Sequence, residues 1–180
     1  MSVAALLIAM AGVPRGGVAR PLAASGPSAD TLVSQGVARA RAEGKAVLIE
    51  FGASWCTWCR RFEAFVASPE VGRIVQNNYV IVNLTVQERE EKKALETPGG
   101  DARMRQWGGE NAGLPFYVFL DGTGRKVADS KAMPDGANIG FPGTAKEADA
   151  FMALIAKTAP RLRATDRQQI SAFLQKSVQP

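Results

Sequence analysis

At 180 residues the chain is one ordinary domain in length, and its 46% apolar and 22% charged content excludes both a disulfide-stapled mini-protein and bulk disorder. It has no histidine, which removes imidazole as a metal ligand or general base, so proton transfer falls to a carboxylate, lysine, tyrosine, thiol or water. The net charge of +5 is scattered in short pairs such as Arg60-Arg61 and Lys92-Lys93 with no aromatic-interleaved stripe, which argues against a nucleic-acid partner.

The chain opens on an apolar run, Val3 to Val13, too short to span a bilayer but of the length of a signal-peptide core. No Lys or Arg precedes it, while "PLAAS" offers small residues for cleavage near Ala24. Residues 1–24 are therefore expected to be a signal peptide or a disordered leader, so that a membrane is met only during export. Loss of Arg15 and Arg20 with that leader would leave 20 basic against 17 acidic residues. Gly, Pro and Ser mark residues 25–30 as a linker, and 31–180 is expected to be a single domain.

Asp30 or Ser28 is a plausible cap for a first helix through about Arg41, ending near Gly44. "KAVLIEFGA" reads as a buried strand. "CRRFEAFVA" sets Cys59, Phe62, Phe65 and Val66 at helical spacing, stopping at Ser68-Pro69, which would in turn start a short helix, "SPEVGRIVQ". "YVIVNLTV" is a second strand, and "PFYVFLDGTGRKVADS" is a strand, a Gly-rich turn and a strand. Between them Gln87 to Gly113 forms a long polar connection with a helix in "EREEKKALE" and another in "DARMRQW". Two helices close the chain, "TAKEADAFMALIAKTAP" and "TDRQQISAFLQKS", the second with Thr165 and Gln168 at capping-box spacing. The order predicts an α/β fold, a central mixed β-sheet with helices on both faces.

The only two cysteines lie in "GASWCTWCRRFE", at a strand-to-helix junction. A Cys-x-x-Cys pair in that setting is a redox signature. Cys56 at the helix N-terminus would have its thiolate stabilised by unpaired backbone N–H groups and the helix dipole. Cys59, one turn further on, would resolve a mixed disulfide from beneath. Trp55 would form an apolar rim. Arg60 either adds positive potential to Cys56 or is a solvated arginine.

"VLIEFGASWCTWCRRFE" and "GLPFYVFLDGTGRKV" together resemble the thioredoxin family, over roughly Ala46 to Ala128. The resemblance implies a thioredoxin fold with an extra C-terminal helix and a thiol-disulfide oxidoreductase with Cys56 as nucleophile and Cys59 as resolving thiol. It places the family's cis-proline on Pro115, with Leu114 as a substrate contact, and its buried acid on Glu50. Glu50, Cys56 and Cys59 are then the catalytic candidates, and Trp55, Leu114 and Pro115 the substrate-binding ones. The implied partners are substrate proteins, through mixed disulfides, and a redox recycling partner. No cofactor is expected beyond the dithiol itself. The long connection and extra helix suggest a relative of the kind found in exported, periplasmic bacterial proteins, with a cytoplasmic reductant as the alternative. Thr57 and Trp58 stand where thioredoxins usually carry Gly-Pro and disulfide isomerases Gly-His, so one source of thiolate stabilisation is missing and a reductant is favoured.

The alternative is a non-catalytic module on the same fold that holds copper(I) or an extended peptide. Two thiolates do not complete a zinc site, but soft sulfur suits copper(I), with Met104 or Met133 as a further ligand. By default Trp58 and Trp107 are packing residues, Phe116 to Phe119 sheet core, and Glu88 to Glu91 with Lys92-Lys93 a solvated helix face.

Overall fold

The computed structural model describes residues 26–178, and the leader expected over 1–24 lies outside them. Four strands, β1 (Ala46–Gly52), β2 (Tyr79–Thr85), β3 (Phe116–Leu120) and β4 (Lys126–Asp129), form one mixed sheet in the order β2-β1-β3-β4. β1 is central, parallel to β2 and antiparallel to β3, while β4 closes the edge antiparallel to β3. Around the sheet lie α1 (Ala29–Glu43), α2 (Thr57–Ala67), α3 (Gly72–Asn78), α4 (Gly100–Gln106), α5 (Ala145–Thr158) and the additional C-terminal α6 (Ala164–Ser177). This is the expected mixed sheet flanked by helices. Among the described residues, no helix is long and apolar enough to cross a membrane.

Side chains alternate across a strand, so each central strand feeds two cores. Leu48, Tyr117 and Phe119 pack with Phe62 and Phe65 of α2 and with α3, α5 and α6. Val47, Ile49, Phe51, Phe116, Val118 and Leu120 pack on the other face with α1 and with Met104 of α4. The same alternation carries Glu50 to the Leu48 face, the side of α2. Gly36 lets α1 sit close to the sheet, since a Cβ there would lie 2.6 Å from a Val82 methyl carbon.

Several local expectations are corrected. For α1 the expected Ser28 N-cap and the end at Gly44 hold, and only the start differs, since the helix begins at Ala29, inside the expected linker. Ser68 does not start a helix: it ends α2, its hydroxyl accepts from the Val71 N–H at 3.1 Å, and α3 begins only at Gly72. "EREEKKALE" forms a 3-10 helix, Glu90–Leu95, rather than an α-helix. Thr165 caps nothing, because α6 starts from Arg163, whose guanidinium is paired with Asp166 at 2.8 Å. The reciprocal capping box belongs instead to α5, between Thr144 and Glu147.

The strand registers bring the site together. Gly52 at the end of β1 lies beside Thr85 at the end of β2, and Phe51 lies beside Phe116 at the start of β3. The segments 53–56, 86–88 and 113–115 therefore meet at one end of the sheet.

Candidate functional site

At that end of the sheet Cys56 and Cys59 are joined in a disulfide, their Cα atoms 5.3 Å apart. Cys56 is the N-cap of α2, and its sulfur accepts from the Cys59 N–H at 3.0 Å. One orphan donor of the first turn thus already points at the sulfur that would carry negative charge on reduction. Both cysteines are buried, Cys59 at 1% exposure and Cys56 at 4%.

Leu114 is partly buried against Ala53, Cys56 and Cys59, and it leads into Pro115 through a cis peptide bond. The Asn138 amide donates to the carbonyls of Gly113 at 3.3 Å and Pro115 at 3.0 Å, clamping this segment from the loop before α5. Trp55 is 42% exposed, and its indole N–H donates to the Gln87 carbonyl at 2.8 Å. Arg60 is tied to the motif's own turn, donating to the Ser54 carbonyl and to the Thr57 hydroxyl, both at 3.1 Å.

Glu50 is 1% exposed, and its Oε1 has no hydrogen-bond partner among the described residues. Burial, with a smaller contribution from the negative charge of Glu63, pushes its pKa up to about 8. A Cβ built on Gly52 would stand 3.3 Å from Glu50 Oε1 and 3.4 Å from Cys59 Sγ. Carboxyl and sulfur are thus no further apart than those two distances laid end to end, a gap one water can bridge.

The structure thus gathers Cys56, Cys59, Glu50, Leu114 and Pro115 at one place, with Trp55 at the rim. Three neighbours were missed in the sequence. Glu63 lies one helical turn beyond Cys59, a spacing that could have flagged it. Trp58 is no core residue: it is 40% exposed, with the Arg61 guanidinium 4.6 Å from its ring centroid and its edge against Gly143. Glu88 is not part of a solvated helix face but buried, accepting from the Ser54 N–H at 2.5 Å and the Ser54 hydroxyl at 2.9 Å. Parallel pairing of the first two strands was the signal, since it sets residues 53–54 beside 86–88.

Met104 and Met133 pack in separate cores on opposite faces of the sheet, neither with the cysteines. Among the described residues no three His, Cys, Asp or Glu side chains cluster around one point that could hold a metal ion.

Comparison with known proteins agrees with this geometry. A family model described as Thioredoxin-like matches residues 30–122, just over half of the chain. The thiol:disulfide interchange protein DsbD of Photorhabdus laumondii is 30% identical over 89 residues, which are 48% of this chain but only 14% of that protein. A disulphide isomerase structure from Xylella fastidiosa Temecula1 is 17% identical, with a TM-score of 0.51 over 88% of this chain and 98% of its own. At that identity the likeness speaks to the fold.

Proposed function

The chain belongs to the thioredoxin-like family, and on that premise we propose that it is a thiol-disulfide oxidoreductase acting on proteins, more as a reductant than as an oxidant. The observation that carries the reading is the Cys56–Cys59 disulfide at the N-terminus of α2 with the buried Glu50 carboxyl behind Cys59, its Oε1 without a hydrogen-bond partner among the described residues.

In the reducing direction the Cys56 thiolate attacks one sulfur of a client disulfide. A Cys56–client bond forms, and the other client sulfur leaves as a thiolate that takes a proton. Cys59 then loses its proton to Glu50, through a water, and attacks Cys56 Sγ. The Cys56–Cys59 bond forms, the mixed disulfide breaks, and the second client sulfur is released. Two electrons have passed from the protein to the client, and a recycling partner returns them by reducing the disulfide. Beyond the dithiol this cycle uses no cofactor. Trp55, Leu114 and Pro115 form the surface that a client's extended chain would meet.

The proposed setting is the periplasm or another exported compartment, which the Val3–Val13 run and small residues near Ala24 support. Insulin reduction under a chemical reductant tests the activity, with Cys56→Ser as the inactive control. Absence of turnover together with one-to-one copper(I) binding would replace the reading with a binding module.

A further inference from the structure

The connection after β2 is built onto the active-site turn. Gln87, at φ 54°, reverses the chain so that its carbonyl meets the Trp55 indole, and the Glu88 carboxylate meets Ser54 twice. The Glu88 N–H donates to Glu96 Oε1 at 2.8 Å, and the loop is closed on itself by the Thr97 N–H on the Thr85 carbonyl and the Thr85 N–H on the Thr97 hydroxyl. Glu88 is 4% exposed, yet among the described residues no guanidinium pairs with it. Its partners are the two Ser54 donors, and Lys92 reaches the Ser54 hydroxyl, at 3.3 Å, rather than the carboxylate. A buried carboxylate with so little compensation is costly to keep.

The geometry points to Glu88 as a positioning residue for the redox pair: it fixes the Ser54-Trp55 turn that presents Cys56, and its charge disfavours the Cys56 thiolate and so makes the dithiol a better electron donor. Ser54 stands two residues before Cys56, which puts the carboxylate on the order of 10 Å from the sulfur. Charges at that range still interact where water is partly excluded. The other charged groups around the pair are Glu50 and Glu63 behind Cys59, Arg60 on the Ser54 carbonyl, Lys92 on its hydroxyl, and Glu96 on the Glu88 N–H, itself paired with Lys93. Arg60 and Lys92 oppose Glu88, so removing the carboxylate makes the turn one unit of charge more positive.

The inference rests on the oxidoreductase reading for its importance but is tested apart from it. Glu88→Gln retains an acceptor for the Ser54 N–H and removes the charge. In glutathione buffers, where the protein disulfide and two glutathione thiols exchange with the dithiol and one glutathione disulfide, this variant is expected to move the equilibrium toward the dithiol at least threefold. The pH profile of Cys56 alkylation in protein reduced with dithiothreitol is expected to move to lower pH. Glu88→Ala, which loses the turn as well, is expected also to slow attack on insulin. A Glu88→Gln protein that matches the wild type within twofold in equilibrium and shows an unmoved alkylation profile would overturn the proposal. Alkylation needs no client and no glutathione exchange, so a wild-type protein inert toward glutathione would count against the oxidoreductase reading alone.

Discussion

Glu50 and Cys59 meet over Gly52, the carboxyl oxygen and the sulfur each in contact range of the place where a Gly52 side chain would begin. The arrangement follows from two periodicities. Strand alternation sends Glu50 to the α2 face, and one helical turn carries Cys59 from the cap position down toward the sheet. Any side chain at Gly52 would fill the gap between them.

Burial of Glu50 makes stability depend on pH. The carboxyl is ordinarily half-protonated at 4.5, and in the folded protein its pKa is about 8. Between those values the unfolded chain has released a proton that the folded chain keeps. The stabilisation is therefore complete below pH 4.5, falls as pH rises, and is gone above 8, at roughly 1.4 kcal/mol per unit where the difference is full. Glu50→Gln is expected to flatten this slope and to be the more stable protein at pH 8.5 by a few kcal/mol. Urea denaturation at pH 5 and 8.5 measures it; parallel pH dependences in the two proteins would show that Glu50 is not the titrating group.

What was legible in the sequence was the part dictated by local chemistry. Short continuous apolar runs revealed the strands, and helical spacing of Phe62 and Phe65 revealed α2. The apolar neighbours of Glu50 on both sides revealed a strand covered on two faces. Contacts that arise only when distant segments meet stayed hidden. Glu88 reads as one acid among several until strand pairing sets it against Ser54. Trp58 reads as core until the loop at Gly143 is seen to leave it half in solvent. Helix ends differed for a subtler reason: Ser68 does use its capping chemistry, on the Val71 N–H, but on a turn that precedes α3, and Thr165 lies inside a turn that another residue opens. That residue is Arg163, paired with Asp166.

The two thiols should differ in reactivity. Cys56 sits at the helix terminus with the Cys59 N–H aimed at its sulfur, whereas Cys59 faces a buried carboxyl. In reduced protein, brief treatment with limiting iodoacetamide is expected to label Cys56 first, as mass spectrometry reads it. Cys59→Ser is expected to accumulate mixed disulfides with clients, and Cys56→Ser to form none. Preferential labelling of Cys59 would reverse the assigned roles.

Thr144 is expected to matter to more than the helix it caps. Its hydroxyl accepts from the Glu147 N–H at 3.3 Å, while Glu147 Oε2 accepts from Thr144 and Gly143, both at 2.9 Å, and Gly143 supports the Trp58 ring. Thr144→Ala should cost about 1 kcal/mol, a fall of roughly 2–4 °C in Tm. Loosening of Gly143 should also alter tryptophan emission. A calorimetric loss with unchanged emission would confine the residue's role to the cap.

The direction of electron flow follows from the balance of charge at the dithiol. A strong oxidant stabilises its reduced form through a much-favoured thiolate, at about −120 mV, whereas thioredoxin itself lies near −270 mV. Here the helix N-terminus favours the Cys56 thiolate, but no histidine stands between the cysteines, and Arg60 spends its donors on Ser54 and Thr57. Against the thiolate stand the carboxylate of Glu88 on the preceding turn and Glu63, whose charge already adds to the upward shift of Glu50. Glu50 is neutral over much of the range below pH 8 and there does not oppose the thiolate, while its carboxylate form, whose share grows toward pH 8, takes the Cys59 proton. The expected potential therefore lies nearer −270 than −120 mV, with resolution by Cys59 quickening as pH approaches 8. Glutathione titration followed by tryptophan emission gives the potential, and single-turnover reduction of a mixed disulfide across pH 6 to 9 gives the resolution rate. Glu50→Gln should slow that step at least tenfold while leaving first attack by Cys56 within about twofold, the factor of ten corresponding to about 1.4 kcal/mol of barrier. A potential close to the strong oxidant's would make the protein an electron acceptor instead, and unchanged Glu50→Gln kinetics would send the Cys59 proton directly to solvent.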